Sequence, residues 1–403
     1  MKYIIILIDG MADYRIAELG NRTPLQYAKT PAMSSLVRIS ETGTVRTIPE
    51  GMAPGSDTAN LSVLGYDPRK YHTGRSPLEA VSLGINLSES DVVFRCNLVT
   101  LSEEDNYTDR TMLDYSAGEI PTDESGILIE YIDEKLGTEK IRFYPGVSYR
   151  HIIVWKGGTD GNILTPPHDI LGKKITEFLP GGPGSGVLLD MMVRSGSLLK
   201  DHTLNRERIK KGLNPANSIW IWGEGRKPAL DSFYKKYKLK GSIISAVDLL
   251  KGIGILAGLE PVEVEGVTGT IHTNFKGKAG AAINELKGEK DFVYLHLEAT
   301  DECSHQGNVR DKVKAIEIID REVIGPVKEA LDRQGAHYRM MILTDHYTPI
   351  SLRTHTSEPV PFMIYDNSRR VDNKSERFDE FTAKKAGLYF DEGYRLLDHF
   401  FKK

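Results

Sequence analysis

Over its first ten residues the chain passes from polar to unbroken apolar and back: Lys2-Tyr3, then Ile4-Ile5-Ile6-Leu7-Ile8, then Asp9-Gly10. Consecutive branched residues without polar alternation describe a strand buried on both faces, as in a parallel sheet. The run is too short for a signal peptide or a membrane span. Four other runs share its character. "DFVYLHLEATDECSH" places a strand ahead of Asp301, and "RMMILTDHYTPI" places one ahead of Asp345-His346. "NSIWIWGEG" (217–225) and "GSIISAVD" (241–248) read as two more. Helical stretches lie between them, notably 309–333, where Val313, Ile316, Ile319, Val323 and Val327 recur at helical spacing. This alternation predicts an α/β fold, a mostly parallel sheet sandwiched by helices, with ligands beyond the carboxyl ends of the strands.

The middle third has another texture. From 76 to 215 the pattern is irregular and rich in turns such as "TPPHD", with a strand at "HIIVW" and a helix over "SGVLLDMMVRSGSLLKDHTL". It reads as a smaller α+β domain, 76–215, inserted into a discontinuous core formed by 1–75 and 216–403. "GGPGSG" (181–186) looks like a phosphate-cradling loop but lacks the Gly-Lys-Ser/Thr ending and a preceding buried strand, so it reads as a turn.

Composition narrows the function classes. A formal charge of −4 gives no electrostatic case for nucleic acid or an anionic membrane. An anionic substrate would need a local cationic pocket. The two cysteines, Cys96 and Cys303, are far apart and suggest neither a disulfide framework nor a thiolate zinc site, which fits a reducing cytoplasm. No other segment approaches transmembrane length, and the chain reads as soluble.

The chemistry gathers at strand ends. "PEGMAPGSDTANLSVLGYDP" turns at Pro54-Gly55 and starts a short helix at Ser56-Asp57-Thr58. Ser56 there is either a helix cap or a nucleophile facing free backbone N–H groups. Asp9, Asp301, His305, Asp345, His346 and His355 each have a bland reading as a cap or a surface residue. Together they put acid and imidazole groups after three strands of one sheet, and Asp301 and His305 are one helical turn apart. Carboxylates and imidazoles without thiols suit Mn²⁺, Zn²⁺ or Mg²⁺, and six such groups plus a serine oxygen suffice for two ions. Two ions can activate an attacking oxygen and hold a phosphoryl group, which favours Ser56 as nucleophile. The insert should supply cations for an anionic substrate: Arg110, Arg150, Arg206 and Arg208, with His151 and His168 as proton carriers. Cys303, between two of the candidate ligands, reads as packing.

The order Asp9-Gly10, Gly55-Ser56-Asp57, Asp301-x-x-x-His305, Asp345-His346 and His355 resembles that of the alkaline phosphatase superfamily. Longer segments spread over nearly the whole chain resemble the cofactor-independent phosphoglycerate mutases of archaeal type. They include "LGNRTPLQYAKTP", "PGSDTANLSVLGYDP", "GRSPLEA", "FRCNLVT", "GVTGTIHTNFKGKA" and "HLEATDECSHQG". The resemblance implies an alkaline-phosphatase-like core and interconversion of 2- and 3-phosphoglycerate, in glycolysis and gluconeogenesis, through a phosphoserine at Ser56. It implies one ion, Mn²⁺ first, on Asp9, Ser56, Asp345 and His346, and a second on Asp301, His305 and His355. Lys278, in "KGKAG", would contact phosphate, and the insert would close over the metal edge to exclude water. The alternatives are a metal-dependent phosphatase or phosphotransferase acting on another phosphometabolite (some relatives carry a homoserine kinase label), or a non-catalytic metabolite-binding relative.

Overall fold

The computed structural model describes residues 1–369 and 371–402. They form two compact units, one of residues 1–72 with 230–403 and one of residues 73–229. In chain order the strands are β1 (Lys2–Ile8), β2 (Glu41–Val45), β3 (Val92–Leu101), β4 (Met112–Asp114), β5 (Ile141–Tyr144), β6 (Arg150–Trp155) and β7 (Ser218–Arg226). They continue with β8 (Gly241–Ile244), β9 (Glu260–Pro261), β10 (Phe292–Leu297), β11 (Tyr338–Leu343), β12 (Val360–Asp366) and β13 (Leu388–Phe390).

The first unit holds an eight-stranded sheet in the order β13-β2-β12-β11-β1-β10-β8-β9. β1 runs parallel to both neighbours, with Ile8 opposite Leu297 of β10 and Leu7 opposite Leu343 of β11. Only β12 runs antiparallel to its neighbours. Every residue of Ile4–Ile8 is fully buried, which accounts for the absence of alternation in sequence. Ile4, Ile6 and Ile8 share a core with Phe275, Val313, Ile316 and Val323 from helices on one face. On the other face Tyr3 meets the rings of Phe400 and Phe401 at 5.6 and 4.9 Å.

The helical stretch 309–333 is present but not uniform. It runs as Val309–Ile319, a wider π turn at Asp320–Ile324, and Gly325–Arg333. Pro326 cannot donate the next helical hydrogen bond, and the Gly325 N–H reaches back to the Asp320 carbonyl instead. The widened turn leaves the Asp320 carboxylate to accept the N–H groups of Ala32 and Met33 at 2.9 and 2.8 Å, where the Pro31–Val37 helix begins.

The second unit is an antiparallel sheet, β4-β3-β6-β5, with β7 on the other edge of β3. Its core sets Phe94, Cys96 and Leu98 against the helices Thr122–Leu136 and Ser185–Lys200. Here the sequence expectation needs correction. The run at 217–225 belongs to this sheet and not to the parallel one: β7 pairs with β3 from Val99–Ser218 to Val92–Arg226. The insert therefore spans 73–229 and not 76–215, and the first unit resumes at 230, not 216. Alternating Ile and Trp mark a buried strand but do not say which sheet accepts it. "GGPGSG" is the turn into the Ser185–Lys200 helix, and its Gly184 N–H is donated to Asn162 Oδ1 at 2.7 Å.

Candidate active site

Because β10, β1 and β11 are adjacent, parallel and in register, the residues following them converge on one edge. Asp9 follows β1, Asp345 and His346 follow β11, and Asp301 and His305 lie on the Ala299–His305 helix after β10. The chain passes closely here. Gly10 has φ +58°, and a Cβ on it would stand 2.5 Å from both Asp301 Oδ1 and Thr348 Oγ1, so only glycine fits. Its N–H donates to Asp345 Oδ1 at 3.1 Å.

Ser56 does not cap its helix. Gly55, in extended conformation, is the capping position and Ser56 is the first helical residue of Ser56–Val63. The Ser56 hydroxyl instead lies 3.1 Å from His346 Nε2. One turn on, the Asn60 amide donates to the Ser56 carbonyl at 2.8 Å and to Asp345 Oδ2 at 3.0 Å, tying the helix start to the strand end.

Around this serine the donors form overlapping groups. Asp9, Asp345 and His346 present atoms within 4.8 Å of one another, and so do Asp301, His346 and His355. His346 Nε2 is 3.3 Å from Asp345 Oδ2 and 3.5 Å from Asp9 Oδ1. His305 Nε2 lies 3.1 Å from Asp301 Oδ2 and 3.0 Å from His355 Nε2, while its Nδ1 meets the Arg353 carbonyl at 2.9 Å. The His346 and His355 rings stack at 3.8 Å. All seven sequence candidates are thus brought together, with His346 common to both groups.

The donor set fits divalent cations. It offers carboxylate oxygens and imidazole nitrogens and no thiolate. Asp9 Oδ1 is buried with no hydrogen-bond partner, which is costly unless a cation meets it. Burial, then the neighbouring Asp345 and Asp301 carboxylates, push the Asp9 carboxyl well above its usual range. Burial opposes the Asp301 anion too, but hydrogen bonds from His305 and His355 hold it well below that range. The same Asp301 contact raises His305 to about 9. Burial lowers His346, which keeps a ring nitrogen lone pair available. Thr348 donates to Asp301 Oδ1 at 2.6 Å and meets His346 Nδ1 at 3.1 Å, so one hydroxyl orients a candidate ligand of each group.

Three side chains that sequence reading missed or misplaced stand behind Asp9. His296 Nε2 is 3.0 Å from Asp9 Oδ2, and its Nδ1 is 3.0 Å from Glu298 Oε1. Burial disfavours the His296 cation, but Glu298 and Asp9 outweigh it and raise the group to about 9. The resemblance implies that Lys278 contacts phosphate. It is instead fully buried on the Phe275–Lys287 helix, and its ammonium donates to Glu298 and to the His296 carbonyl. The polar residues of "YLHLE" at alternate positions of an otherwise buried strand were the available signal.

In the second unit the expected substrate residues fare differently. Arg208 is buried and committed, donating to Glu124 and to the carbonyls of Ala117 and Asn214, which removes it from substrate binding. Arg110 Nε donates to the Glu104 carbonyl at 3.1 Å, and exposed Arg206 pairs with Asp201 at 3.1 Å. His151 is no proton carrier. Its Nδ1 accepts the Gly146 N–H at 3.1 Å, and burial pushes it down to about 3. His168 is half-exposed between the rings of Tyr115 and Trp222. Arg150 is exposed beside the Tyr149 ring, and its guanidinium has no ion pair among the described residues. Cys303 is buried, which raises its thiol to about 11, in line with a packing role.

Residues 38–205 match the family described as 2,3-bisphosphoglycerate-independent phosphoglycerate mutase. A protein of that name from Methanothrix thermoacetophila is 49% identical, over 98% of this chain and 98% of its own. A solved structure from Pyrococcus horikoshii superposes with a TM-score of 0.82 at 31% identity, covering 98% of this chain and 96% of that one. The cofactor-independent phosphoglycerate mutase of Thermoplasma acidophilum gives a TM-score of 0.69 at 28% identity, with 99% of each chain covered. With a relative of such identity aligned along nearly its full length, the chain belongs to the 2,3-bisphosphoglycerate-independent phosphoglycerate mutase family.

Proposed function

We propose that this protein interconverts 2-phosphoglycerate and 3-phosphoglycerate by way of a phosphoserine at Ser56. One observation carries the reading: a serine released from capping duty has its hydroxyl 3.1 Å from His346, inside the donor cluster. Asp9, Ser56, Asp345 and His346 would hold one divalent ion, and Asp301, His305 and His355 the other. Mn²⁺ is the ion we assign, with Zn²⁺ or Mg²⁺ able to use the same donors. Bound there, such ions lower the pKa of a serine hydroxyl and neutralise charge on a transferring phosphoryl group.

The chain's own part follows from positions. Ser56 Oγ gives up its proton and forms a bond to phosphorus as the phosphorus–oxygen bond to glycerate breaks, and the departing alkoxide takes up a proton in exchange; the return transfer reverses both. Glycerate turns within the site, and its other hydroxyl takes the phosphoryl group back. No phosphate is lost if water is excluded while the phosphoserine exists. We assign the inserted unit to substrate binding, with Arg150 as the cation that meets the substrate's carboxylate or phosphate.

Incubating the Mn²⁺-loaded protein with 3-phosphoglycerate, without added bisphosphoglycerate, tests this by phosphorus NMR. Appearance of 2-phosphoglycerate to a steady ratio is expected. Release of inorganic phosphate alone would make the protein a phosphatase on the same metal edge.

A further inference from the structure

Behind the candidate metal edge four buried ionisable side chains form a chain: Lys278, Glu298, His296, Asp9. Lys278 Nζ donates to Glu298 and, at 3.0 Å, to the His296 carbonyl. Glu298 Oε1 also accepts the Ala246 N–H at 2.7 Å and the Ser245 hydroxyl at 3.1 Å. His296 lies between two carboxylates, 3.0 Å from Glu298 and 3.0 Å from Asp9. The phosphoryl-transfer reading uses Asp9 and leaves the other three without a task.

We propose that His296 is a positioning residue that makes Asp9 a one-oxygen metal ligand, and that Glu298 and Lys278 hold the His296 ring in place. The inference rests on the reading of Asp9 as a ligand. An ionised carboxylate only accepts hydrogen bonds, so the His296 Nε2 that faces Asp9 Oδ2 at 3.0 Å donates to it, while Nδ1 is held by Glu298 Oε1 and the Ser245 hydroxyl. On the Asp9 side this occupies Oδ2. Oδ1 is left buried with no hydrogen-bond donor, 3.5 Å from His346 Nε2 and so directed into the cluster. A carboxylate with one oxygen clamped from behind presents the other in a fixed direction, as a precise coordination shell needs. Glu298 alone would leave a buried negative charge in excess. Lys278, equally buried, pairs with it and balances that charge. This also explains a lysine with no exposure on a helix that otherwise packs Phe275, Ala279 and Ala282.

The test titrates Mn²⁺ into metal-stripped, full-length protein by calorimetry, so that metal affinity is read without turnover. Wild type is expected to bind two ions per chain. His296→Gln keeps an amide N–H where Nε2 stood and can still clamp Asp9, whereas His296→Asn is too short to reach it. The Asn variant should bind one ion about 10–100-fold more weakly and the other unchanged, a loss typical of removing a ligand's orienting partner. The Gln variant should stay within a few fold of wild type. Lys278→Met should weaken the same ion by a smaller factor, and it serves as the reading if the Asn variant does not fold. Wild-type affinity for both ions in His296→Asn, or in Lys278→Met where it stands in, would overturn the proposal. Equal weakening of both ions would also overturn it, since that marks general loss of structure. Failure of the wild type to bind Mn²⁺ would instead sink the metal reading of Asp9.

Discussion

Ser56 Oγ lies 3.1 Å from His346 Nε2, at the first residue of a helix whose capping position is occupied by Gly55. Removing the hydroxyl therefore deletes no cap, and the usual penalty of about 1 kcal/mol for losing one does not apply. Ser56→Ala is expected to melt within a few degrees of wild type and to show no mutase turnover, because no oxygen remains to accept the phosphoryl group. Thermal melts beside phosphorus NMR separate the two effects. An alanine variant that interconverts the phosphoglycerates at the wild-type rate would end the nucleophile reading.

The donor cluster carries a second expectation. Asp9, Asp345 and Asp301 crowd together, and burial with mutual repulsion works against the Asp9 anion. A cation that binds the folded protein alone relieves this and stabilises by mass action, roughly 2.7 kcal/mol at a hundredfold excess over Kd. Chelation should lower the melting temperature and abolish activity, and Mn²⁺ should restore both. His305→Ala should cost one ion with little loss of fold, since that ring is about a third exposed at the end of a short helix. Full activity in metal-free protein would contradict the proposal.

The legible part of this molecule was its strand ends. Largely apolar runs announce β1, β10 and β11, and Asp9, Asp301, Asp345 and His346 of the cluster follow them within four residues. The run at 217–225 is equally clear as a strand, but its pattern does not say that its partner is β3 of the insert, because burial carries no partner information. "KGKAG" shows the same limit: Asn274 caps a helix there by accepting the Gly277 N–H, and Lys278 lies within that helix, away from any phosphate role. Arginines in the insert had no distinguishing signal at all. Arg208, unlike Arg150, is committed by Glu124 and the Ala117 carbonyl, both far off in sequence, together with the nearby Asn214 carbonyl, and only the folded chain brings them to it.

That difference can be measured. Arg150 is exposed without an ion pair, so Arg150→Ala should leave stability nearly unchanged and raise KM for phosphoglycerate. Loss of one charge-assisted hydrogen bond, worth roughly 1.5–3 kcal/mol, corresponds to an effect of about 10–100-fold. Hydrolysis of a small aryl phosphate should be spared. Arg208→Ala should do the reverse, costing roughly 3–5 kcal/mol because Glu124 and the two carbonyls lose their donor. Equal loss of both activities in Arg150→Ala would remove Arg150 from substrate recognition.

His151 predicts a pH dependence confined to the insert. Burial pushes its folded pKa down from 6.5 to about 3, and its Nδ1 is committed to the Gly146 N–H. Between those values the unfolded chain binds a proton that the folded chain refuses, so stability falls as pH drops from 6.5 towards 3. Above that window the group contributes no slope. The three tryptophans, Trp155, Trp220 and Trp222, all lie in residues 73–229, so their fluorescence follows unfolding of this unit. His151→Asn keeps an acceptor for Gly146 and removes the titration. Between pH 7 and pH 5, wild type should lose roughly 2 kcal/mol more than the variant in urea unfolding, from about 1.4 kcal/mol per pH unit below the unfolded pKa. Parallel losses in the two proteins would mean that His151 takes up its proton without unfolding, and that its burial is not what sets the acid sensitivity of the insert.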